Sequence, residues 1–146
     1  YFSKLLISPL FGRYVYMEVS VYIRFVVNEF NEESNQRLGI FHAVRYMKDY
    51  NEFYDYELEQ AERTMSWFNK NLDSPLDYLN KQKSKKSDVF ISWFKISATE
   101  HIARIREFTF LLENKGVIVE QIKTDNPGKI VYSDEHQIFA KPFERF

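Results

Sequence analysis

The chain of 146 residues has no cysteine, and only four glycines and four prolines. Without cysteine it can form no disulfide, no thiolate zinc site and no cysteine nucleophile. That composition is weakly consistent with a reducing cytoplasm, which is the location we predict. The apolar run at residues 5–10 is far too short to span a membrane, so we predict no membrane partner.

Several enzyme signatures are also missing. The sequence contains no P-loop, no Rossmann-type glycine spacing, no HExxH pair and no nucleophile elbow. Charge is nearly balanced, with a formal net charge of −1, so the whole molecule exerts no general attraction on nucleic acid or lipid. These absences lower the expectation of catalysis, and we predict no cofactor and no metal site.

Apolar and aromatic residues are abundant. Hydrophobic residues make up 45% of the chain and aromatic residues 18%, including 14 Phe and 10 Tyr. A chain of this length buries enough surface to fold as one domain without covalent cross-links.

Residues 1–16 differ from the rest because they show no sustained periodicity, and Met17 stands just before the first regular pattern. Two interpretations remain open for them. They are either an N-terminal extension foreign to the domain, which then covers residues 17–146, or an arm that packs on the core.

The first regular pattern is an alternation over residues 19–28, which predicts a strand. Its second face carries Arg24, and a half-buried guanidinium needs an acceptor such as a carboxylate or a phosphate. We therefore name Arg24 as a ligand-binding candidate. The structural alternative is that Arg24 pairs with Glu120 on a neighbouring strand.

Three helices are predicted. The first begins at a cap formed by Ser34 or Asn35 and ends near Tyr50, and the second begins at an Asp55 cap. A capping box over residues 97–100 starts the third, and Gly116 ends it.

The C-terminal part predicts strands. Residues 117–123 form a strand that we expect to be buried on both faces, and residues 129–133 and 136–141 form a hairpin. Helices grouped before strands indicate an α+β fold, namely a mainly antiparallel sheet of four to five strands with three helices packed on it.

The final hairpin carries the run PGKIVYSDEHQ at residues 127–137, with WFK at 93–95 and EHIAR at 100–104 upstream. Together these segments resemble a family of small bacterial proteins that has no assigned function. The resemblance implies a compact bacterial domain and transfers no activity.

A polar helix face supplies the catalytic candidates His101, Arg104 and Glu107, and the hairpin supplies His136. Imidazole beside carboxylate is the chemistry of a general base, and His101 and His136 meet if the helix packs on the hairpin. The alternative is a solvated helix face with ordinary ion pairs.

A lysine-rich segment supplies Lys81, Lys83, Lys85 and Lys86, with Trp93 not far along the chain. Lysines interleaved with stacking rings suit the phosphates and bases of nucleic acid. Trp93 is also our second ligand-binding candidate. The alternative is an exposed loop that keeps the protein soluble.

These patterns lead to three functional hypotheses. The first is a small binding or regulatory domain whose partner is a protein, including a second copy of itself, because tyrosine and phenylalanine are common at interfaces. The second is an enzyme or small-ligand binder that uses the helix face of His101, Arg104 and Glu107. The third is nucleic-acid binding through the lysine-rich segment.

Overall fold

A computed structural model describes residues 2–10, 13–32, 34–85, 88–143 and 146, with only the backbone described before Ser20. Its elements in chain order are β1 (Phe2–Leu10), β2 (Arg13–Ser20), β3 (Tyr22–Asn31), β4 (Gln36–Gly39), α1 (Ile40–Asp49), α2 (Asp55–Asn71), α3 (Leu76–Gln82), β5 (Ile91–Lys95), α4 (Thr99–Asn114), β6 (Val119–Thr124), β7 (Lys129–Ser133) and β8 (Gln137–Lys141).

The described elements confirm the α+β class. Six strands form an antiparallel sheet in which β6, β3, β5, β8 and β7 are successive neighbours, and β4 pairs with the far end of β3. Four helices are present instead of three, because residues 76–82 complete a short helix of their own. With six strands, the described sheet is also slightly larger than the four to five strands predicted.

The predicted strand at residues 19–28 is interrupted at Val21, and β3 begins at Tyr22. Its alternation is confirmed, since Ile23, Phe25 and Val27 are buried in the cluster beneath the helices. The residues before Val21 belong to a separate antiparallel pair of strands, β1 and β2, in which Leu5 lies opposite Met17. The boundary predicted between residues 16 and 17 thus falls inside β2.

Two predicted helix starts are wrong. Residues 36–39 form β4 against β3, so α1 begins at Ile40 with Gly39 as its N-cap. The capping box at residues 97–100 does not form, because α4 starts at Thr99 behind an Ala98 cap without a side-chain bond. The Ala98 N–H donates to the carbonyl oxygen of Lys95, and the Ala98 side chain is buried. The turn before α4 therefore extends beyond Ser97.

The start of α2 differs by one residue, since Tyr54 is the N-cap and Asp55 the first helical residue. The backbone N–H of Tyr54 donates to the carboxylate of Glu57 over 2.9 Å. That carboxylate lies at the positive end of the helix, where a negative charge is favourable.

The strand after α4 is not buried on both faces. β6 pairs only with β3 in the described part of the chain, and Ile118 just before it is 73% exposed. The apolar run at 117–119 therefore marks a sheet edge. Gly116, with φ of 80°, ends α4 in the left-handed conformation as predicted.

The sheet is packed on both faces. On one side, α4 contributes the predicted stripe, with Ile105, Phe108 and Leu112 fully buried among residues of α1, α2 and β3. On the other side, Trp93 and Ile138 form a smaller cluster against which Phe146 packs. This second layer holds the C-terminal residue beside Arg24.

Candidate ligand-binding cavity

A gap interrupts the pairing along one edge of β3. β5 pairs with β3 only at Tyr22 and Ile23, whereas β4 pairs with β3 from Val26 onward. Both strands lie on the edge opposite β6, because β6 pairs with the whole of residues 22–27. Among the described residues, Arg24 and Phe25 therefore face no strand on that edge. A cavity of about 390 Å³ lies at this gap, bounded by β3, β5, β8, the start of α1 and the end of α2.

Arg24 lies in the wall of this cavity. Its Nη2 donates to the carbonyl oxygen of Arg37 over 2.7 Å, and its Nη1 donates to that of Phe146 over 3.4 Å. The predicted pairing with Glu120 is wrong, since Glu120 forms its ion pair with Arg37. Within the part of the chain that the structure describes, Arg24 forms no ion pair.

Burial, and then the nearby charge of Arg37, lower the pKa of Arg24 to about 10. The guanidinium remains protonated at neutral pH, but its charge is poorly solvated and no Asp or Glu side chain of the described residues forms an ion pair with it. Arg24 therefore supplies an electrostatic attraction for an anion entering the cavity.

Two further basic side chains of α1, His42 and Arg45, line the same cavity. Burial, then Arg45 and Arg24, lower the pKa of His42 below its ordinary value of 6.5, so its imidazole is mostly neutral at pH 7. Asp73 is the acidic side chain among the described lining residues. The two arginines outweigh it, and the lining has one net positive charge near neutral pH.

The start of α1 contributes to the same field. Gly39 caps the helix without a side-chain hydrogen bond, and the first turn contains no acidic residue. Gly39, Ile40 and Phe41 all line the cavity. The positive end of the helix dipole therefore lies at its wall.

The rest of the lining is largely apolar. Its aromatic members are six phenylalanines, namely Phe25, Phe41, Phe68, Phe90, Phe94 and Phe139. The rings of Phe41 and Phe68 meet edge to face, with centroids 5.0 Å apart and planes at 87°. The lining of the cavity thus combines charged side chains with aromatic rings.

The hairpin tip holds one side of the cavity in place. Asp134 accepts hydrogen bonds from the backbone N–H groups of His136 and Gln137, from Gln137 Nε2 and from the Tyr132 hydroxyl, over 2.8 to 3.0 Å. Gln137 Nε2 also donates to the carbonyl oxygen of Asp73 over 2.7 Å. Gln137 and Asp73 both line the cavity, so this network positions its wall.

The same network gives the hairpin motif an architectural role. Burial alone would raise the pKa of Asp134, but these hydrogen bonds outweigh it and hold the pKa below its usual range. Gly128 has φ of 118°, and a Cβ there would lie 2.0 Å from the carbonyl oxygen of Lys141. Gly128, Tyr132, Asp134 and Gln137 are thus each required by the turn or the network.

His101 and His136 converge, with ring centroids 4.2 Å apart and planes tilted by 30°. His101 is 5% exposed, and its Nε2 hydrogen-bonds the carbonyl oxygen of Asn71 over 2.7 Å at the C-terminus of α2. Trp67 packs against the other side of the His101 ring, with centroids 4.9 Å apart. The predicted juxtaposition is present, but neither histidine lines the cavity.

The other two members of the helix face contact α2. The guanidinium of Arg104 lies 5.1 Å from the ring centre of Trp67 and forms an ion pair with Glu107 over 3.5 Å. Glu107 also accepts a hydrogen bond from the Thr64 hydroxyl over 2.5 Å. His101, Arg104 and Glu107 therefore join α4 to α2 and are not gathered around an open site.

The lysine-rich segment is exposed. Lys81 lies on α3 and Lys83 and Lys85 follow it, while Lys86 lies outside the described residues. Asp88 anchors the segment by accepting hydrogen bonds from Ser84 and from the Lys85 N–H. None of the three described lysines forms an ion pair within the described ranges.

Trp93 is only 1% exposed and lies behind the sheet, where its ring meets Phe146 edge to face with centroids 4.9 Å apart. Its Nε1 has no hydrogen-bond partner among the described residues. The ring therefore contacts neither the cavity nor solvent, and it cannot stack on a base beside the lysines.

Sequence reasoning identified Arg24 but not the rest of the cavity. His42 and Arg45 stand three residues apart, a spacing that places two basic groups on one helix face. The phenylalanines, by contrast, come from six separate elements or loops and carry no local pattern.

Comparisons with known proteins add no identity to this picture. In the described residues no cluster of three or more His, Asp or Glu side chains is arranged to hold a metal ion. Every helix within the described ranges is too short or too polar to cross a lipid bilayer. No protein-family model, no curated protein and no solved structure matches the chain.

Proposed function

We propose that the domain binds a small organic anion in the cavity beside β3, with Arg24 as the anchoring residue. One observation carries the proposal: Arg24 is a largely buried guanidinium in the cavity wall that forms no ion pair within the described residues. This function belongs to the small-ligand class predicted as an alternative from the sequence, and its anchor is the ligand-binding candidate Arg24, not the helix face of His101, Arg104 and Glu107.

The energetic argument rests on the cost of burying a charge. A largely buried guanidinium without an Asp or Glu partner lacks the Coulombic compensation of an ion pair with such a side chain. An anion that enters the cavity supplies this compensation, and a charge-assisted hydrogen bond is worth about 1.5–3 kcal/mol. The volume of about 390 Å³ lies within the range of ligand pockets, toward its lower end. A small ligand is therefore favoured.

Thermal unfolding in the presence of organic anions tests the proposal. We expect sodium 3-phenylpropionate or sodium octanoate to raise the Tm of the wild type in a concentration-dependent manner, because a ligand that binds only the folded state stabilises it. Arg24→Gln should remove most of the increase. Arg63→Gln is the matched control, because Arg63 is exposed and, among the described residues, pairs only with Glu59 on its own helix.

Two results would contradict anion binding at this site. The first is a wild-type Tm that neither salt changes relative to sodium chloride. The second is an equal increase in the wild type and Arg24→Gln, with circular dichroism showing that the variant is folded.

A second candidate is the protein-interaction function that the aromatic content predicted. Tyr46, Tyr50, Tyr54 and Tyr56 are all more than half exposed, and the rings of Tyr46 and Tyr50 lie 4.4 Å apart. Tyrosine is enriched at protein interfaces, which supports a partner at this surface. Light scattering after size-exclusion chromatography tests self-association, and a strict monomer at high concentration would rule it out.

The enzyme and nucleic-acid hypotheses lack comparable support. His101 bonds a helix carbonyl within a packed interface, and Trp93 is buried away from the lysines. A cytoplasmic location and membership of the bacterial family remain predictions.

A further inference from the structure

We propose that the ligand is an arylalkyl monocarboxylate, meaning a carboxylic acid joined by a short chain to an aromatic ring. This inference rests on the proposed function, because it specifies the ligand of the same cavity. Three properties of the lining carry it: its net charge, the free donors of Arg24 and its phenylalanine rings.

The charge of the lining favours a monoanion. Arg24 and Arg45 contribute two positive charges and Asp73 one negative charge, while His42 is mostly neutral at pH 7. A single carboxylate matches the resulting charge of one. A phosphate monoester carries close to two negative charges at this pH, which exceeds the net charge of the lining by one.

Arg24 has donors left for a carboxylate. A guanidinium has five N–H groups, and Arg24 uses two of them to bond the main-chain oxygens of Arg37 and Phe146. The remaining donors can serve both oxygens of a carboxylate, the paired geometry that a guanidinium favours. The two carbonyl bonds also restrain the side chain before a ligand arrives, which reduces the entropy lost on binding.

The apolar lining favours a ring over a flexible chain. Phe41 is half-buried, meets Phe68 edge to face and lines the cavity with five other phenylalanines. A ring that packs edge to face gains about threefold to tenfold in affinity beyond the effect of its buried area. An alkyl chain of similar size lacks this gain and loses more conformational freedom when it is immobilised.

Isothermal titration calorimetry at pH 7.5 tests the ligand class with four probes. These are 3-phenylpropionate, octanoate, the neutral 3-phenylpropanol and the dianionic phenyl phosphate. We expect 3-phenylpropionate to bind most tightly, with octanoate weaker by about threefold to tenfold from the aromatic contribution. The alcohol should be weaker by about tenfold or more, because it forms no charge-assisted hydrogen bond.

Variants place the binding in the cavity. Arg24→Gln should weaken 3-phenylpropionate by about tenfold or more, and Arg63→Gln should leave it unchanged. Phe41→Leu should reduce the preference for 3-phenylpropionate over octanoate. If Arg24→Gln does not fold, two other comparisons still decide the role of charge. The wild type should bind 3-phenylpropionate more tightly than 3-phenylpropanol, and Arg45→Gln should bind 3-phenylpropionate more weakly than the wild type does.

The outcomes separate the two proposals. Octanoate or phenyl phosphate binding as tightly as 3-phenylpropionate, with the same loss in Arg24→Gln, overturns the arylalkyl carboxylate and leaves anion binding intact. Failure of every anionic probe, or equal binding of 3-phenylpropionate and 3-phenylpropanol together with no effect of the arginine variants, overturns both.

Discussion

The guanidinium of Arg24 donates to the main-chain carbonyl oxygen of Arg37 over 2.7 Å, while the side chain of Arg37 forms an ion pair with Glu120. Glu120 lies opposite Val26 on the strand that pairs with β3. The carboxylate of Glu120 is thus engaged by Arg37. This arrangement leaves the guanidinium of Arg24 bonded to main-chain oxygen atoms at the edge of a cavity.

We predict that His42 makes stability depend on pH. Burial, Arg45 and Arg24 lower its pKa below 6.5 in the folded state, and Asp73 also lies along the cavity that it lines. The unfolded chain therefore takes up a proton at a higher pH than the folded chain does. The contribution of neutral His42 to the free energy of unfolding is complete above pH 6.5. It decreases as the pH falls from there through the pKa of His42 in the folded state.

Urea unfolding at pH 7.5 and 5.5 measures this effect. The wild type should lose more stability between the two values than His42→Gln, since the variant has no imidazole to protonate. Equal losses in both proteins would show that His42 does not titrate differently on folding.

Asp134 should be necessary for the hairpin tip, although the adjacent Glu135 is not. Asp134→Ala removes the acceptor for two backbone N–H groups, the Gln137 amide and the Tyr132 hydroxyl. We expect a loss of about 2–3 kcal/mol in the free energy of unfolding. The side chain of Glu135 is 87% exposed, so Glu135→Ala should change stability by no more than about 0.5 kcal/mol.

Chemical denaturation of the two variants makes this comparison. A loss in Asp134→Ala no greater than that in Glu135→Ala would mean that the hairpin keeps its shape without the network.

A buried ion pair joins α2 to the end of α4. Lys115 Nζ lies 2.6 Å from Glu57, whose side chain is 3% exposed, and Lys115 also lies 3.9 Å from the ring centre of Tyr54. Burial alone would raise the pKa of Glu57, but the hydrogen bonds from Lys115 and the Tyr54 N–H lower it overall. Removal of one partner leaves an uncompensated buried charge.

Glu57→Ala should therefore cost clearly more unfolding free energy than the loss of an exposed pair. Glu59→Ala is the matched control on the same helix, because Glu59 pairs with Arg63 on the exposed surface, and it should cost at most about 1 kcal/mol. Thermal or urea unfolding distinguishes the two. Similar small costs would show that Lys115 and Glu57 contribute no more than a surface pair.

Two glycines with positive φ, Gly116 and Gly128, provide a further matched comparison. At Gly116, with φ of 80°, no other heavy atom lies within 4 Å of an added Cβ, whereas at Gly128 the Cβ would overlap the backbone of Lys141. Gly116→Ala should cost about 1–2 kcal/mol for the left-handed conformation alone. Gly128→Ala should cost more, about 3 kcal/mol or above, because the hairpin must also separate. Equal costs for the two variants would show that the strain at Gly128 comes only from the left-handed conformation and not from overlap with Lys141.

Local signals predicted the parts of the fold that depend on neighbouring residues. The alternation of Ile23, Phe25 and Val27 predicted the strand, and the stripe on α4 ending at Gly116 predicted the last helix and its stop. The proximity of His101 and His136 could be stated as a hypothesis, because it requires only that a helix pack on a hairpin.

The remaining features depend on tertiary contacts. The polar residues 36–39 suit a helix cap by composition, yet pairing with β3 draws them into a strand. The cavity exists because β5 diverges from β3 after Ile23 while β4 joins only at Val26. No sequence pattern encodes that divergence, so the basic groups of α1 could not be assigned to Arg24 beforehand.

The most direct test of the central claim is a crystal structure of the protein with 3-phenylpropionate. We expect a carboxylate oxygen within about 3 Å of the guanidinium of Arg24, with the ring among the phenylalanines of the cavity. A ligand bound elsewhere, or a carboxylate in the cavity that leaves Arg24 bonded only to the carbonyl oxygens of Arg37 and Phe146, would contradict the role assigned to Arg24.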